Sequence, residues 1–318
     1  MTENLLWIEK YRPKNLEDII GQSKTIDLLD KMIDNGSLPH LILNGKSGTG
    51  KTSTIMALVN KLYGDNKVFN VIKLDASDDR GINTVRDEIK GFAEKITIFN
   101  KGIKLIILDE ADAMTFDAQF ALRRIMETYS DTTRFCFICN YDNKIIPAIK
   151  ARCLNLRFQP INKDVVKSKL KSICISEKIK HSTQSIETIS TICNGDLRKG
   201  INLLQSISMR TNKITKKICY ETAGIPDTDL VEYIFNFLHD KNNTFLDCFE
   251  MIDEKIIKPG YSLSLFLNEF VKVIITKDID EDTLSKYLHK LADVENAVSI
   301  STFGNIYTLS IIGIFKEE

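Results

Sequence analysis

The segment GKSGTGKT, residues 45–52, has the composition and spacing of a loop that binds phosphate groups. Its three glycines let the backbone turn tightly, so that successive N–H groups face an anion. The segment follows an apolar strand and opens a helical stretch, whose N-terminus adds partial positive charge. In such a loop Lys51 contacts the β- and γ-phosphates of a nucleotide, and the hydroxyl of Thr52 binds Mg²⁺. The predicted ATP-binding loop comprises Gly45, Lys46, Ser47, Gly48, Thr49, Gly50, Lys51 and Thr52.

A second segment whose residues could take part in catalysis is LIILDEAD, residues 105–112, an apolar strand that ends in carboxylates. We expect Asp109 at the carboxyl edge of the sheet, beside the phosphate loop, where it can complete the shell of the Mg²⁺ ion. Glu110 can orient and deprotonate an attacking water molecule. A strand without these carboxylates would indicate nucleotide binding alone, whereas this pair predicts hydrolysis.

Two further polar residues are candidates for nucleotide contacts. Asn140 ends the strand TRFCFICN, residues 133–140, and its amide can hold the attacking water or contact the γ-phosphate. An asparagine at a strand end is also common in plain turns. Arg198 begins a helix in NGDLRKGINLL, residues 194–204, from where it can reach the γ-phosphate, although taken alone it is typical of a surface arginine. We predict that both residues contact the nucleotide.

Up to residue 160 the sequence alternates between strands and helices. The predicted strands are residues 41–45, 68–76, 104–111, 133–140 and 154–158. Between them lie amphipathic stretches such as DAQFALRRIMETY, for which Asp117 is the expected N-cap. Near-continuous apolar strands joined by helices predict an α/β domain over residues 1–160, with a parallel sheet covered on both faces. After Pro160 only helical periodicity remains, and it predicts a bundle over 161–225 and a second all-α domain over 226–318.

The composition predicts an intracellular protein that does not associate with a membrane. Its 318 residues carry no net charge, no apolar run is long enough to cross a bilayer, and the N-terminus lacks the pattern of a secretory signal. The seven cysteines are scattered. Cys136 and Cys139 fall in one strand, where an odd separation sends the two side chains to opposite faces. We therefore expect buried, reduced cysteines rather than a metal or redox site.

Further segments carry a resemblance to a known family. They are WIEKYRPKNLEDIIGQ (7–22), LDASDDRGI (74–82), AQFALRRIMETYS (118–130), FICNY (137–141), ARC (151–153) and GDLRKGINLLQ (195–205). With the two segments above, they occur in the order seen in small subunits of replication factor C, the sliding-clamp loader of the AAA+ ATPase class. The resemblance is dense over residues 5–205 and weak beyond. The chain departs from the family pattern where Lys46 and Ser47 replace two prolines and Ala151 replaces a serine.

The resemblance implies an AAA+ P-loop domain, a helical lid and an all-α collar that holds five subunits in a spiral. ATP would lie between neighbouring subunits, with Ile8 and Ile20 packed on the adenine. ATP binding would organise a spiral that opens a ring-shaped sliding clamp and grips primer–template DNA, and hydrolysis would release both. Arg152, near which the sequence offers no anion, would act in trans on the γ-phosphate at the neighbouring subunit's site.

The neutral net charge predicts that DNA contacts are few and well placed. Helix N-termini suit this role, because their backbone N–H groups bind phosphate without side-chain charge. We place Arg80 (before the helix at 82–95), Thr115 and Lys144 at three such helix starts and assign them to DNA, with Arg86 as a further contact. Exposed helix caps without a ligand are the alternative interpretation.

A contact with the clamp is expected in FAEKITIFNKG, residues 92–102, which would face the clamp in this family. Ile98 and Phe99 are apolar beside lysine and asparagine, as in an exposed docking patch. Ordinary core residues are the alternative interpretation.

Two other functions compete with an ATP-hydrolysing clamp-loader subunit. The first is a scaffold subunit that binds nucleotide without hydrolysing it and only supplies Arg152 to its neighbour. Intact Lys51, Glu110 and Asn140 argue against it. The second is another AAA+ DNA-remodelling ATPase, such as a branch-migration helicase. The segments SDDRG and ARC, and the lack of a winged-helix pattern after residue 225, argue against that class.

Overall fold

The computed structural model describes residues 5–76, 82–95, 103–301 and 306–316. The chain packs as two compact units: Met1–Ile179 with Ile189–Gln205, and Lys180–Thr188 with Ser206–Glu318. The boundary between these units runs through the helical region predicted as 161–225. The limits of the three expected domains therefore stay predictions.

The first unit is built on a five-stranded parallel sheet. Its strands are β1 (His40–Asn44), β2 (Val71–Asp75), β3 (Lys104–Asp109), β4 (Thr133–Cys139) and β5 (Cys153–Arg157). Their order across the sheet is β2-β3-β4-β1-β5, and every neighbouring pair is parallel. All five predicted strands are confirmed, with ends that differ by at most three residues. The prediction was wrong for residues 68–70, which belong to a short helix, Lys67–Asn70. Asp75 lies opposite Asp109 in the register, so the carboxyl ends of β2 and β3 are level.

Helices follow the strands as the alternating sequence predicts. They are α1 (Trp7–Lys10), α2 (Ser23–Asp34), α3 (Lys51–Tyr63), α4 (Lys67–Asn70), α5 (Ile82–Glu94), α6 (Phe116–Thr128), α7 (Pro147–Lys150), α8 (Lys163–Ser176), α9 (Thr183–Cys193) and α10 (Leu197–Arg210). Helix α9 begins in the second unit and ends in the first, whereas α10 begins in the first and ends in the second.

The expected N-cap of α6 was wrong by two residues. Thr115 caps this helix, because its backbone is extended (φ −67°, ψ 156°) and its hydroxyl accepts from the Ala118 N–H at 3.3 Å. Asp117 lies within the first turn instead. There its carboxylate interacts favourably with the positive end of the helix dipole.

The placement of Lys144 at a helix start was also wrong. Lys144 ends a 3₁₀ turn, Asp142–Lys144, and α7 begins only at Pro147. The two residues between them, Ile145 and Ile146, have extended backbones and are buried in the core. Burial of these two side chains holds the chain out of a helical path, so Lys144 has no helix N-terminus to offer.

A buried glutamine fixes the segment that follows β4. Gln119, on α6, is 1% exposed. Its Nε2 donates to the carbonyls of Met114 (3.3 Å) and Lys144 (3.0 Å), and its Oε1 accepts from the Ile146 N–H at 2.9 Å. These bonds satisfy backbone groups that would otherwise lose water without compensation.

The two faces of the sheet carry separate apolar cores. Leu41, Leu43 and Cys136 pack in one, and Ile42 and Cys139 in the other. The opposite orientation predicted for the two cysteines is therefore confirmed. All seven cysteines are free, and burial raises the pKa of the Cys139 thiol to about 12. A thiol with such a pKa stays protonated at neutral pH, which makes it a poor nucleophile and metal ligand.

The second unit is helical apart from one short pair of strands, β6 (Lys180–His181) and β7 (Lys213–Ile214), among the residues described there. Its remaining helices are α11 (Lys216–Ala223), α12 (Thr228–His239), α13 (Phe245–Ile252), α14 (Leu263–Ile275), α15 (Glu281–Ile300) and α16 (Ile306–Lys316). Their core centres on Phe235, Phe266 and Phe270, and the rings of the last two stack 5.0 Å apart. Over the described ranges, none of the helices is both long and apolar enough to cross a membrane.

Candidate nucleotide-binding site

A cleft of about 220 Å³ lies in the first unit at the carboxyl edge of the sheet. The phosphate loop, the ends of β3 and β4, the start of α10 and the N-terminal segment line it. Twelve predicted nucleotide-site residues meet there: Ile8, Ile20, Ser47, Gly48, Thr49, Gly50, Lys51, Thr52, Asp109, Glu110, Asn140 and Arg198. Gly45 and Lys46, the first two residues of the loop, do not line the cleft, and their carbonyls accept hydrogen bonds from the Lys51 ammonium group.

The glycines of the phosphate loop are required by close packing and by left-handed backbones. A Cβ on Gly45 would lie 2.3 Å from the carbonyl oxygen of Phe158. A Cβ on Gly48, whose φ is +68°, would lie 1.7 Å from Oδ1 of Asp196. Gly50, with φ +97°, is the N-cap of α3. The sequence thus folds the loop tightly against both β5 and the turn before α10.

Lys51 is held at the centre of the loop. It is 7% exposed, and its ammonium group donates to the carbonyls of Gly45 (2.6 Å) and Lys46 (2.9 Å) and to Oδ1 of Asn140 (3.0 Å). Burial lowers the pKa of Lys51, because the charged form has lost water. A phosphate group at the loop would supply the missing negative charge.

Oxygen ligands suited to Mg²⁺ meet at the end of β3. The hydroxyl of Thr52 donates to Oδ2 of Asp109 at 3.3 Å, which brings the two predicted ligands together. Hydroxyl and carboxylate oxygens are the ligands that Mg²⁺ prefers. The donor set therefore fits the ion.

Glu110 stands in a strained backbone conformation next to this pair. Its φ of 53° and ψ of 37° are left-handed, which costs a non-glycine residue on the order of 1–3 kcal/mol. Its N–H donates to Oδ1 of Asp109 at 3.2 Å, and its exposed side chain lines the cleft. Strain of this kind persists only where the surrounding structure enforces it, and it is frequent at active sites.

Sequence reasoning missed the residue that positions Asn140. One carboxylate oxygen of Asp112 accepts from the backbone N–H groups of Asn140 and Tyr141, each at 3.2 Å. The chain therefore turns sharply after β4, and the Asn140 amide is brought to Lys51. The available sequence signal was the third carboxylate in LDEAD, three residues after Asp109.

The start of α10 is joined directly to the phosphate loop. The Leu197 N–H donates to the carbonyl of Gly48 at 3.3 Å, and Asp196 caps the helix by accepting from the Lys199 N–H at 3.0 Å. Arg198 lies in this first turn and lines the cleft. The phosphate loop is thus bonded to the turn that carries Arg198.

A buried glutamine also ties the loop to the end of the sheet. Gln22 donates from Nε2 to the carbonyls of Thr49 (3.4 Å) and Gln159 (2.7 Å). Gln22 and Asp196 were both missed from sequence. Both are polar residues whose partners are backbone atoms remote in sequence, which periodicity does not reveal.

The N-terminal strap, residues 7–13, closes one side of the cleft with Ile8, Tyr11, Arg12 and Pro13. It is fastened to α8 through Glu177, whose Oε1 accepts from the Lys10 ammonium (2.6 Å) and the Tyr11 hydroxyl (2.5 Å). Burial raises the pKa of Tyr11 to about 12, and the bond to Glu177 adds to this effect. The Trp7 N–H donates to Gln205 on α10 at 3.0 Å. Tyr11 and Glu177 were both missed from sequence.

Arg152 lies outside this cleft, on the turn between α7 and β5. Its guanidinium is 2.5 Å from Oε1 of Glu127 and donates to the carbonyl of Ala148 at 2.8 Å. Its side chain is 40% exposed. The sequence near Arg152 contains no anion, but folding brings Glu127 to it from α6. The structure therefore separates Arg152 from the nucleotide residues of its own chain.

The predicted DNA and clamp residues are only partly described. Thr115 is exposed at the start of α6. Arg86 lies on α5, whose observed start at Ile82 agrees with the prediction, but its side chain is outside the description. Arg80, Ile98 and Phe99 lie outside the described residues.

Three families match consecutive parts of the chain. Residues 41–161 match the ATPase family associated with various cellular activities (AAA). Residues 168–209 match the RCF1/5-like AAA+ ATPase lid domain. Residues 226–312 match the replication factor C C-terminal domain.

Curated relatives match nearly the whole length of the chain. The protein named probable replication factor C subunit 5 of Dictyostelium discoideum is 42% identical over 318 residues, covering 99% of this chain and 91% of the relative. Human replication factor C subunit 5 is 40% identical, covering 98% of this chain and 92% of the relative. Replication factor C subunit 3 of Saccharomyces cerevisiae is 40% identical, covering 99% of this chain and 94% of the relative.

A solved structure with the same fold is RuvB of Thermotoga maritima, a Holliday junction branch migration motor. It covers 86% of this chain and 88% of its own, with a TM-score of 0.52 and 16% identity. At this identity the likeness shows the fold alone, and it confirms the AAA+ fold class. It lends no support to branch migration as the activity of this chain.

Proposed function

The chain belongs to the replication factor C family of clamp-loader ATPases, and we propose which of its residues bind ATP, hydrolyse it and contact its partners. The proposal rests on one cleft that holds two hydrogen-bonded pairs. Lys51 donates to Asn140 at 3.0 Å, and Thr52 donates to Asp109 at 3.3 Å. The start of α10 is bonded to the same loop. A catalytic base, an ion-binding pair and two γ-phosphate contacts thus converge on one site.

Each cleft residue then has a distinct role in phosphoryl transfer. Lys51 and the backbone of residues 45–52 bind the β- and γ-phosphates. Thr52 and Asp109 hold Mg²⁺, which neutralises charge on the phosphate oxygens when it is bound. Glu110 takes a proton from the attacking water, and Asn140 orients that water or contacts the γ-phosphate. Ile8 and Ile20 pack on the adenine.

Arg198 couples the nucleotide to the helical region. Its turn is bonded to Gly48, and the strap is fastened to α8 and α10. A γ-phosphate contact by Arg198 would therefore stabilise one arrangement of these helices, and its loss on hydrolysis would release that arrangement. We therefore propose a helical lid over 161–225 that responds to the nucleotide. The collar is proposed over 226–318, of which residues 226–312 match the replication factor C C-terminal domain.

Arg152 acts on the neighbouring subunit's ATP. Its exposure outside its own cleft supports this role, since a guanidinium there can meet another subunit. The Glu127 pair keeps the guanidinium ordered at the surface. An exposed pair of this kind contributes only about 0.2–1 kcal/mol, so it gives way readily to a γ-phosphate.

The partners proposed are other clamp-loader subunits in a five-membered spiral, a ring-shaped sliding clamp and primer–template DNA. Thr115 supports a DNA contact through the N-terminus of α6. Arg80 and Arg86 stay candidates for DNA contacts, and Ile98 and Phe99 stay candidates for the clamp. Lys144 stays a candidate for a DNA contact only through its exposed ammonium group, which lies 5.5 Å from the Tyr141 ring centre. These roles place the chain at sites of DNA replication inside the cell.

The proposal is tested by purifying the chain with its partner subunits and measuring ATPase activity with primed DNA and the clamp, separately and together. We expect each to stimulate hydrolysis and both together to stimulate it most. A control complex carries Lys51→Met in this chain and should lose its share of the stimulated rate. No stimulation by either partner would contradict the clamp-loading role.

A further inference from the structure

A lysine on the neighbouring strand shares the carboxylate assigned to Mg²⁺. The ammonium nitrogen of Lys73 lies 2.9 Å from Oδ2 of Asp109. The same oxygen accepts the hydroxyl of Thr52 at 3.3 Å. Lys73 and Asp109 are 40% and 17% exposed in their side chains, so the pair sits at the rim of the cleft.

The contact follows from the register of the sheet. Lys73 on β2 lies opposite Ile107 on β3, in parallel pairing. Since side chains alternate along a strand, Lys73, Ile107 and Asp109 belong to the same face of the sheet. The offset between Lys73 and Asp109 is two residues, about 7 Å, which the four-carbon stem of a lysine spans. Backbone pairing therefore places Lys73 within reach of Asp109.

We propose that Lys73 sets the divalent-cation affinity of the nucleotide site by competing with the ion for Asp109. The inference rests on the proposed assignment of Asp109 to Mg²⁺. An ion held at about 2.1 Å from the carboxylate would lie within about 5 Å of the ammonium group. At that distance, with water-like screening, repulsion between the two cations changes affinity by roughly tenfold. Because Lys73 is partly exposed and can swing away, we expect a threefold to tenfold effect.

The consequence is a site that binds its ion less tightly than the oxygen ligands alone would allow. Since Mg²⁺ and nucleotide bind together, a weaker hold on the ion also weakens the hold on the Mg²⁺–ADP product. Lys73 thereby favours release of the product after hydrolysis. Lys73 acts on the ion through its pair with Asp109, and we assign it no contact with the reacting atoms.

The test measures binding of a fluorescent ADP analogue to the full chain across a series of buffered free Mg²⁺ concentrations. Lys73→Met removes the charge, and Lys73→Arg keeps it. Lys61→Met is a matched control, because Lys61 forms an exposed ion pair with Asp30 at 3.0 Å outside the cleft. The readout is the free Mg²⁺ concentration at half of the Mg²⁺-dependent change in affinity.

We expect Lys73→Met to lower this concentration about threefold to tenfold, and Lys73→Arg and Lys61→Met to stay within about twofold of the wild type. An unchanged or higher value in Lys73→Met, with Mg²⁺ dependence intact in the wild type, would overturn the role of Lys73 alone. A wild-type chain whose ADP affinity ignores Mg²⁺ would overturn the assignment of Asp109 as well. The two failures are therefore distinguishable.

Discussion

Gly48→Ala should disable nucleotide binding through a single added methyl group. The new Cβ would lie 1.7 Å from Oδ1 of Asp196, and the residue would keep a φ of +68°. The left-handed backbone costs an alanine about 1–2 kcal/mol. Moving Asp196 aside breaks its bond to the Lys199 N–H, an N-cap contact worth about 1 kcal/mol. Because the loop can avoid these costs of about 2–3 kcal/mol by leaving its binding conformation, ATP must restore that conformation when it binds. Restoring it corresponds to a loss of ATP affinity of roughly 30- to 150-fold.

Gly36→Ala is the matched control for this change. Gly36 has a similar φ of +63°, and a Cβ added there meets no described atom within 4 Å. It should therefore lose about 1 kcal/mol of folding stability and leave ATP affinity unchanged. Equilibrium binding of a fluorescent ATP analogue and urea unfolding, run on both variants, separate the two effects. A folded Gly48→Ala chain that binds ATP as the wild type does would refute the packing of the loop against Asp196.

Two further predictions concern Arg152 and His40. Arg152→Ala should leave this subunit's ATP affinity intact and lower hydrolysis at the adjacent site by on the order of 10³-fold or more. The rate is measured with that neighbour as the only hydrolysis-competent subunit. A defect at this subunit's own site would contradict the trans role. His40 accepts from the Phe135 N–H at 3.1 Å, and burial lowers the pKa of His40 to about 4 from its ordinary 6.5. The unfolded chain therefore binds more protons between these values, and stability falls as the pH drops through this window. Between pH 7 and pH 4.5, the free energy of unfolding measured in urea should fall by about 2 kcal/mol less in His40→Gln than in the wild type. An equal loss in both proteins would contradict this prediction.

The strands and the phosphate loop were predictable because their information is local. Runs rich in apolar residues, Lys104–Asp109 or Thr133–Cys139 for example, define strands by composition. The loop is defined by glycine spacing within eight residues. The parallel order then follows from alternation with helices.

The polar partners of the site were not predictable in this way. Asp112, Glu177, Glu127 and Lys73 each contact a functional residue that lies elsewhere in the sequence or on another strand. Their positions depend on strand register and helix packing, which are set by the whole unit. A charged residue in the sequence is, without that packing, indistinguishable from a solvated one.

The two errors of local structure have a related cause. Thr115 and Asp117 are both good caps by residue type, and the extended backbone of Thr115 decides between them. Lys144 precedes two isoleucines that read as the beginning of a helix. Their burial in the sheet's core keeps them extended instead.

The most direct test of the central claim is single-turnover ATP hydrolysis by the assembled complex on primed DNA with clamp, comparing the wild type with Glu110→Gln in this chain. Replacing the carboxylate removes the proton acceptor and leaves the phosphate loop untouched. We expect hydrolysis at this site to slow by on the order of 10²- to 10⁴-fold, while ATP affinity stays within about threefold of the wild type. A single-turnover rate equal to that of the wild type would show that Glu110 is not the base and that the cleft does not hydrolyse ATP as described.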